Sequence, residues 1–185
     1  MKRFLIFSAI GVAIITVLVL AVLYIKLKHT KQFSPEDEVL YADGNLSIKV
    51  FYNRPYKKNR VIFGGLVPYG KVWRTGANEA TTFETNRPLT IEGKKLAAGK
   101  YTLWTIPDSV NWTVIFNSEY GQWGVDSNAE ANRDPELDVL TFPIHAVWQD
   151  REFEQFTITF EKKMESEAEM VLLWDKTVVA VPFSY

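Results

Sequence analysis

The stretch YNRPYKKNRVIFGGLVPYGKVWRTGANEATTFET, residues 52–85, mixes glycines, arginines, aromatic rings and carboxylates in a way that a plain strand does not need. Gly64, Gly65 and Gly70 let the backbone turn or approach a neighbour closely, while Trp73-Arg74 sets a broad apolar plane beside a planar cation. On a functional reading, Arg54, Arg74, Asn78 and Glu79 line a polar pocket floored by Trp73. The arginines would clamp an anion or carboxylate, and Glu79 would act as acceptor or base. The plainer reading ranks above it: Gly64-Gly65 is a bulge, Trp73 belongs to the core, and Arg74 pairs with Glu79 or Glu84.

Other constellations offer less. Glu79 and Glu84 suggest the paired carboxylates of a glycosidase, but five residues apart on one strand they would point to opposite faces. His145 is the only histidine expected in the folded part and the chain has no cysteine, so neither a metal site nor a cofactor is expected, nor a Ser-His-Asp set. Gly64, Gly65 and Gly70 lack the spacing of a phosphate-binding loop. Trp104, Trp112, Trp123 and Trp148 could include rings that stack on a sugar, although core packing accounts for them equally well.

These residues need elements to hold them. Residues 4–25, FLIFSAIGVAIITVLVLAVLYI, carry no charge. As a helix they would extend about 33 Å, enough to cross a hydrocarbon core. A cleaved signal would have an apolar region of only about 7 to 15 residues and a small-residue cleavage site, so an uncleaved anchor is expected. It follows a short basic N-terminus, residues 1–3. Basic residues flank both ends, Lys2 and Arg3 against Lys26, Lys28 and Lys31, and leave the orientation nearly balanced. Residues 26–37, with Pro35 among polar and acidic neighbours, read as a linker.

Residues 38–185 then form one domain. Apolar residues recur with period two at Ile48, Val50 and Tyr52, along residues 101–106, at Trp112, Val114 and Phe116, and at Phe156, Ile158 and Phe160. Turn signals at Asp43-Gly44-Asn45, Glu92-Gly93, Ala98-Gly99, Pro107-Asp108-Ser109 and Asp175-Lys176 separate the strands. The last of these would join two strands within MVLLWDKTVVAVPFSY. The expected fold is all-β, an antiparallel sandwich or barrel-like domain behind one transmembrane helix. The 6 Trp, 8 Tyr and 12 Phe suit strands. With 21 Lys and Arg against 22 Asp and Glu, nothing in the charge balance marks a nucleic-acid binder.

The chain resembles the mainly bacterial family catalogued as domain of unknown function 2911. The resemblance runs through YNRP at residues 52–55, GGLVPYGKVWRTGANEAT at 64–81, IEGKKLAAGKYTLWTIP at 91–107, NWTVIFN at 111–117 and QWG at 122–124. It implies no reaction, cofactor or catalytic residue. Because similar proteins often begin with a secretory signal, it does imply export, and so a domain on the outer side of a bacterial cytoplasmic membrane. Three functions follow as expectations. The first is an envelope binding module for a glycan, a peptide or an envelope protein, tethered to the lipid bilayer through residues 4–25. The second, ranked lower, is an envelope hydrolase using Glu79 or Asp126 as base and Arg74 against developing negative charge. The third is a structural domain in which the motif is scaffold.

Overall fold

The computed structural model describes residues 2–185, with the side chains of residue 7, residues 10–26 and residues 28–185. Two compact units result, a helix up to Phe33 and a domain over Ser34–Tyr185. Helix α1 spans Lys2–Phe33. It continues through the residues read as linker because no helix breaker appears before Ser34-Pro35, where the proline ring disfavours the α conformation of the residue before it. Lys31 lies in the last turn, where a cation suits the helix dipole. Within the apolar run the Thr16 hydroxyl donates to the Val12 carbonyl at 2.9 Å, so its polar group is satisfied inside the helix. Among the described residues this is the one helix long and apolar enough to cross a membrane, of the kind that serves as an anchor or a signal sequence. Met1, part of the expected basic N-terminus, lies outside the described residues.

All the strand pairs of the domain are antiparallel, as its period-two pattern predicts. Its strands are β1 (Glu36–Asp43), β2 (Leu46–Asn53), β3 (Thr82–Thr85), β4 (Leu89–Ile91), β5 (Lys94–Leu96), β6 (Gly99–Ile106), β7 (Asn111–Asn117), β8 (Asp138–Met164) and β9 (Glu167–Ser184). They form one open sheet in the order β1-β2-β3-β6-β7-β8-β9-β4-β5. The 27-residue strand β8 makes the corner. Its first part, to His145, pairs with β7, and from Ala146 onward it pairs with β9. The sheet thus folds into two layers that face each other.

Tyr52 ties the layers together. Its ring meets Phe156 edge-on at 5.7 Å, and its hydroxyl accepts from the Ile158 amide at 3.0 Å. Burial pushes the pKa of this phenol up to about 12, so it stays neutral in any ordinary condition. Ile48, Val50, Leu103, Val114 and Phe116 complete the inner face, each fully buried. At the domain's centre Trp73, Trp112, Trp174, Phe63 and Phe156 interlock, with Trp73 stacked on Trp174 at 5.8 Å and edge-on to Phe156 at 5.1 Å.

Two expectations change. The Asp175-Lys176 turn does not form, and β9 runs through it as one strand of 18 residues. Asp175 takes a left-handed φ of 54° opposite Phe153, where the β8–β9 register slips, so the turn-prone dipeptide becomes a bulge. Lys57 holds that bulge, with Nζ 2.6 Å from Asp175 and 2.9 Å from Glu152. Strand β6 also departs from simple alternation, because Thr102 and Trp104 on its other face are buried as well. Loops cover that face, as described below. The region 129–137 supplies only a short 3-10 turn at Pro135–Leu137, in keeping with its proline.

Replacing Phe156 by Ala should cost about 3–5 kcal/mol, since it opens a cavity amid the rings of Tyr52, Trp73 and Trp174. Urea unfolding of the full chain in detergent micelles, followed by tryptophan fluorescence, measures this. A loss below about 1 kcal/mol would show that the cluster closes around the gap.

Candidate functional site

The residues that the sequence singles out separate into scaffold and cleft. Arg54, just after β2, is scaffold: Nε donates to the Phe156 carbonyl at 3.1 Å, Nη2 to the Thr157 hydroxyl at 2.8 Å, and Nη1 pairs with Asp37 at 3.1 Å. It fastens β2 to β8 across the layers. Trp73 is scaffold too, although it also lines the cleft at Arg74 described below. Its backbone exchanges both hydrogen bonds with Thr105, at 2.7 and 3.0 Å, and its indole N–H donates to the Gly76 carbonyl at 2.9 Å.

After Trp73 the chain makes a tight polar turn. Thr75 and Asn78 sit at φ 53° and 57°, a conformation that a β-branched residue such as Thr75 adopts only when its surroundings impose it. The turn meets its polar needs internally. Thr81 Oγ1 donates to the Thr75 carbonyl at 2.7 Å, the Thr75 and Thr105 hydroxyls lie 3.1 Å apart, and Asn78 Nδ2 donates to Asn53 Oδ1 at 3.2 Å. Gly76 passes so near β2 that a Cβ there would lie 3.0 Å from the Asn53 carbonyl oxygen. Asn78 is buried within this turn.

Glu79 faces another way. Its Oε2 accepts from Asn53 Nδ2 at 2.9 Å, and it lines a hollow of about 330 Å³ on the outer face of the β1-β2-β3-β6 layer. Glu84 lines the same hollow, contrary to the expectation that the two would point apart. Strand alternation does not relate them, since β3 begins only at Thr82 and Glu79 lies in the turn before it. Lys49 and Lys100 stand opposite Glu84 in the ladder, and Lys49 pairs with Glu38 at 2.5 Å, so positive and negative charges interleave there.

Arg74 lies on the opposite side of the chain from Trp73 and pairs with neither Glu79 nor Glu84. A loop over residues 118–134 comes down beside it, held by the Gly124 amide to the Asn78 carbonyl at 2.9 Å and the Ala80 amide to the Gln122 carbonyl at 3.2 Å. The two loops bury Ala80, Trp104 and Ile115 as a second small core, with Val72 and Ala131 packed against it. Between them lies a cleft of about 260 Å³ lined by Arg74, Lys71, Leu66, Val125, Glu130 and neighbouring residues. Arg74 makes no ion pair among the described residues, and its Nε is buried without a hydrogen-bond partner. Burial pulls the pKa of this guanidinium below its ordinary value.

Gly124 makes room for it. A Cβ at this position would lie 2.0 Å from Arg74 Cδ and 2.8 Å from Arg74 Cβ, and the second overlap cannot be relieved by rotating the side chain. Asp126, considered above as a base, instead shapes the loop. Its Oδ1 accepts from the Asn128 and Glu130 amides at 2.8 and 3.0 Å. His145 is exposed on β8, 3.4 Å from Asn111 Oδ1. Trp104 and Trp112 are buried, while Trp123 and Trp148 are exposed.

Sequence reasoning missed Gly124, Lys71 and Glu130. The one signal was the glycine after Trp123 in an otherwise polar loop. Residues 34–183 match the model of a family described as "Protein of unknown function (DUF2911)", the one that the WRTGANEAT run points to. No curated protein and no solved structure is matched.

Gly124→Ala should destabilise the domain by about 1–3 kcal/mol through overpacking. The loss should shrink, though not vanish, when Arg74→Ala is present, because alanine removes the overlaps with Cγ and Cδ and keeps the one with Cβ; a double-mutant cycle of urea midpoints measures this non-additivity. Simple additivity would mean that the two side chains do not share this space.

Proposed function

The chain belongs to the DUF2911 family, and we propose that its β domain is a binding module, held at a membrane by α1, that takes a small anionic ligand in the cleft at Arg74. One observation carries this reading: a half-buried guanidinium with no counter-ion lines an open cleft. Removing a charge from water costs several kcal/mol unless a partner replaces the lost hydration, and a fold that needed only structure would supply that partner itself. Arg54, by contrast, spends its donors on Phe156, Thr157 and Asp37. Guanidinium presents a fork of donors matched to carboxylate or phosphate oxygens, which sets the ligand's charge.

Of the ligands expected from the sequence, a small anionic one suits this cleft better than a glycan or a protein surface. Its volume of about 260 Å³ lies below the roughly 300–1,000 Å³ of sites that take drug-sized ligands. The hydrolase reading loses ground because Glu79 lines a different hollow from Arg74 and Asp126 spends its carboxylate on the loop. The scaffold reading suits Arg54, Trp73 and Asn78 but leaves Arg74 unexplained. Anchoring at a bacterial cytoplasmic membrane, domain outward, rests on the uncharged length of α1 and on export of similar proteins.

Titrating acetate, phosphate and citrate into the detergent-solubilised full chain should raise its unfolding midpoint, and Arg74→Met should abolish the effect. The same variant should unfold at a higher midpoint than the parent without ligand, because it removes an uncompensated charge, by about 0.5–2 kcal/mol. Anion stabilisation that persists in Arg74→Met would overturn the reading. For the anchor, the chain should stay with membranes through an alkaline carbonate wash and be cut by protease added to spheroplasts. Recovery in the soluble fraction would instead indicate a removed signal.

A further inference from the structure

Arg74 is not alone in the cleft. Lys71 and Glu130 line it too, and none of the three takes part in an ion pair among the described residues. Opposite charges thus border one small volume without meeting across it. The Glu130 backbone is fixed, its amide bound to Asp126 Oδ1 at 3.0 Å and its carbonyl accepting from the Asp126 amide at 2.9 Å. The carboxylate is therefore carried on a defined turn rather than on a loose loop. Between the charges the walls are apolar, with Leu66, Val67 and Pro68 on one loop and Val125 and Ala129 on the other.

We infer that the ligand is a small zwitterion, an α-amino acid or a dipeptide with an apolar side chain. Its carboxylate lies on Arg74 with Lys71 beside it, its ammonium lies on Glu130, and its side chain lies against the apolar walls. This rests on the anion reading above and narrows it. A plain anion would satisfy Arg74 and leave Glu130 facing a ligand of its own sign, at an energetic penalty. A zwitterion satisfies both ends, and the cleft's size suits a molecule of this scale rather than a longer chain.

The test uses the full chain in detergent micelles and isothermal titration calorimetry with L-leucine and L-alanyl-L-leucine, each compared with its N-acetyl and its C-terminal amide form. At least one of the two parents should bind, and both of its blocked forms should bind about tenfold more weakly or worse, since each loses one charge-assisted contact. Glu130→Gln, which keeps the side chain's shape, should weaken the parent by a similar factor and leave the N-acetyl form unchanged. Should the N-acetyl form bind as well as the parent and ignore Glu130→Gln, the zwitterion is overturned while the anion site at Arg74 stands. If no carboxylate form binds, the zwitterion is overturned, and if acetate, phosphate and citrate also fail to stabilise the chain, or binding is indifferent to Arg74→Met, the anion reading falls with it. Circular dichroism and the urea midpoint of Glu130→Gln guard against a variant that has merely misfolded.

Discussion

Burial of the Trp73 indole is the constraint on which the domain's architecture turns. The ring closes the central aromatic cluster between the two layers, stacked on Trp174 and edge-on to Phe63 and Trp112. Its backbone pairs with Thr105 as a strand would. In an extended chain successive side chains go to opposite faces, so sending Trp73 inward sends Arg74 outward. There it meets the loop 118–134, which already covers Trp104 and Ile115. The cation is thus confined by a packing decision made one residue earlier, and relief by rotation toward Glu79 is closed to it.

The strained turn that follows serves the same end. Thr75 and Asn78 in left-handed conformations reverse the chain over β2, and Asn53, Thr81 and Thr105 satisfy the groups so buried. Almost every polar atom in this stretch is accounted for, which makes the partnerless Arg74 Nε the exception. Proteins tolerate such exceptions where they serve a purpose, and the stability forgone at one side chain is small beside the burial of Trp73, Trp112, Trp174 and Phe156.

Much of the fold was legible in the sequence because alternation is a direct imprint of a one-sided core. Ile48, Val50 and Tyr52 read as one buried face and are one. The Asp43-Gly44-Asn45 and Glu92-Gly93 signals fall at the β1–β2 and β4–β5 hairpins. Asp175 misled because left-handed backbone serves bulges as well as turns, and only the long partner β8 decides between them. Trp104 could not be placed, since its burial depends on a loop that begins more than ten residues further along the chain. The candidate site was legible in part. Arg74 stands out by type, but its isolation depends on Glu79 turning away toward Asn53, and Glu130, which borders the cleft with it, comes from a distant loop. The family model matching residues 34–183 confirms what the motif run suggests about membership and adds no chemistry.

Strand β8 also governs the order in which the domain can be assembled during synthesis. The layer β1-β2-β3-β6-β7 is complete in the chain before β8 begins, yet its inner face has nothing to pack against until β8 turns the corner and β9 returns alongside it. Strand β4 waits longest of all, since Thr90 and Ile91 pair with Ser184 and Phe183 at the far end of the sequence. A growing chain therefore holds a nearly finished sheet with a bare aromatic face, prone to stick to whatever is nearby. The β8–β9 hairpin, joined by only Glu165 and Ser166, closes with little loop entropy to overcome, and its arrival converts that exposed face into a core in one late, cooperative step.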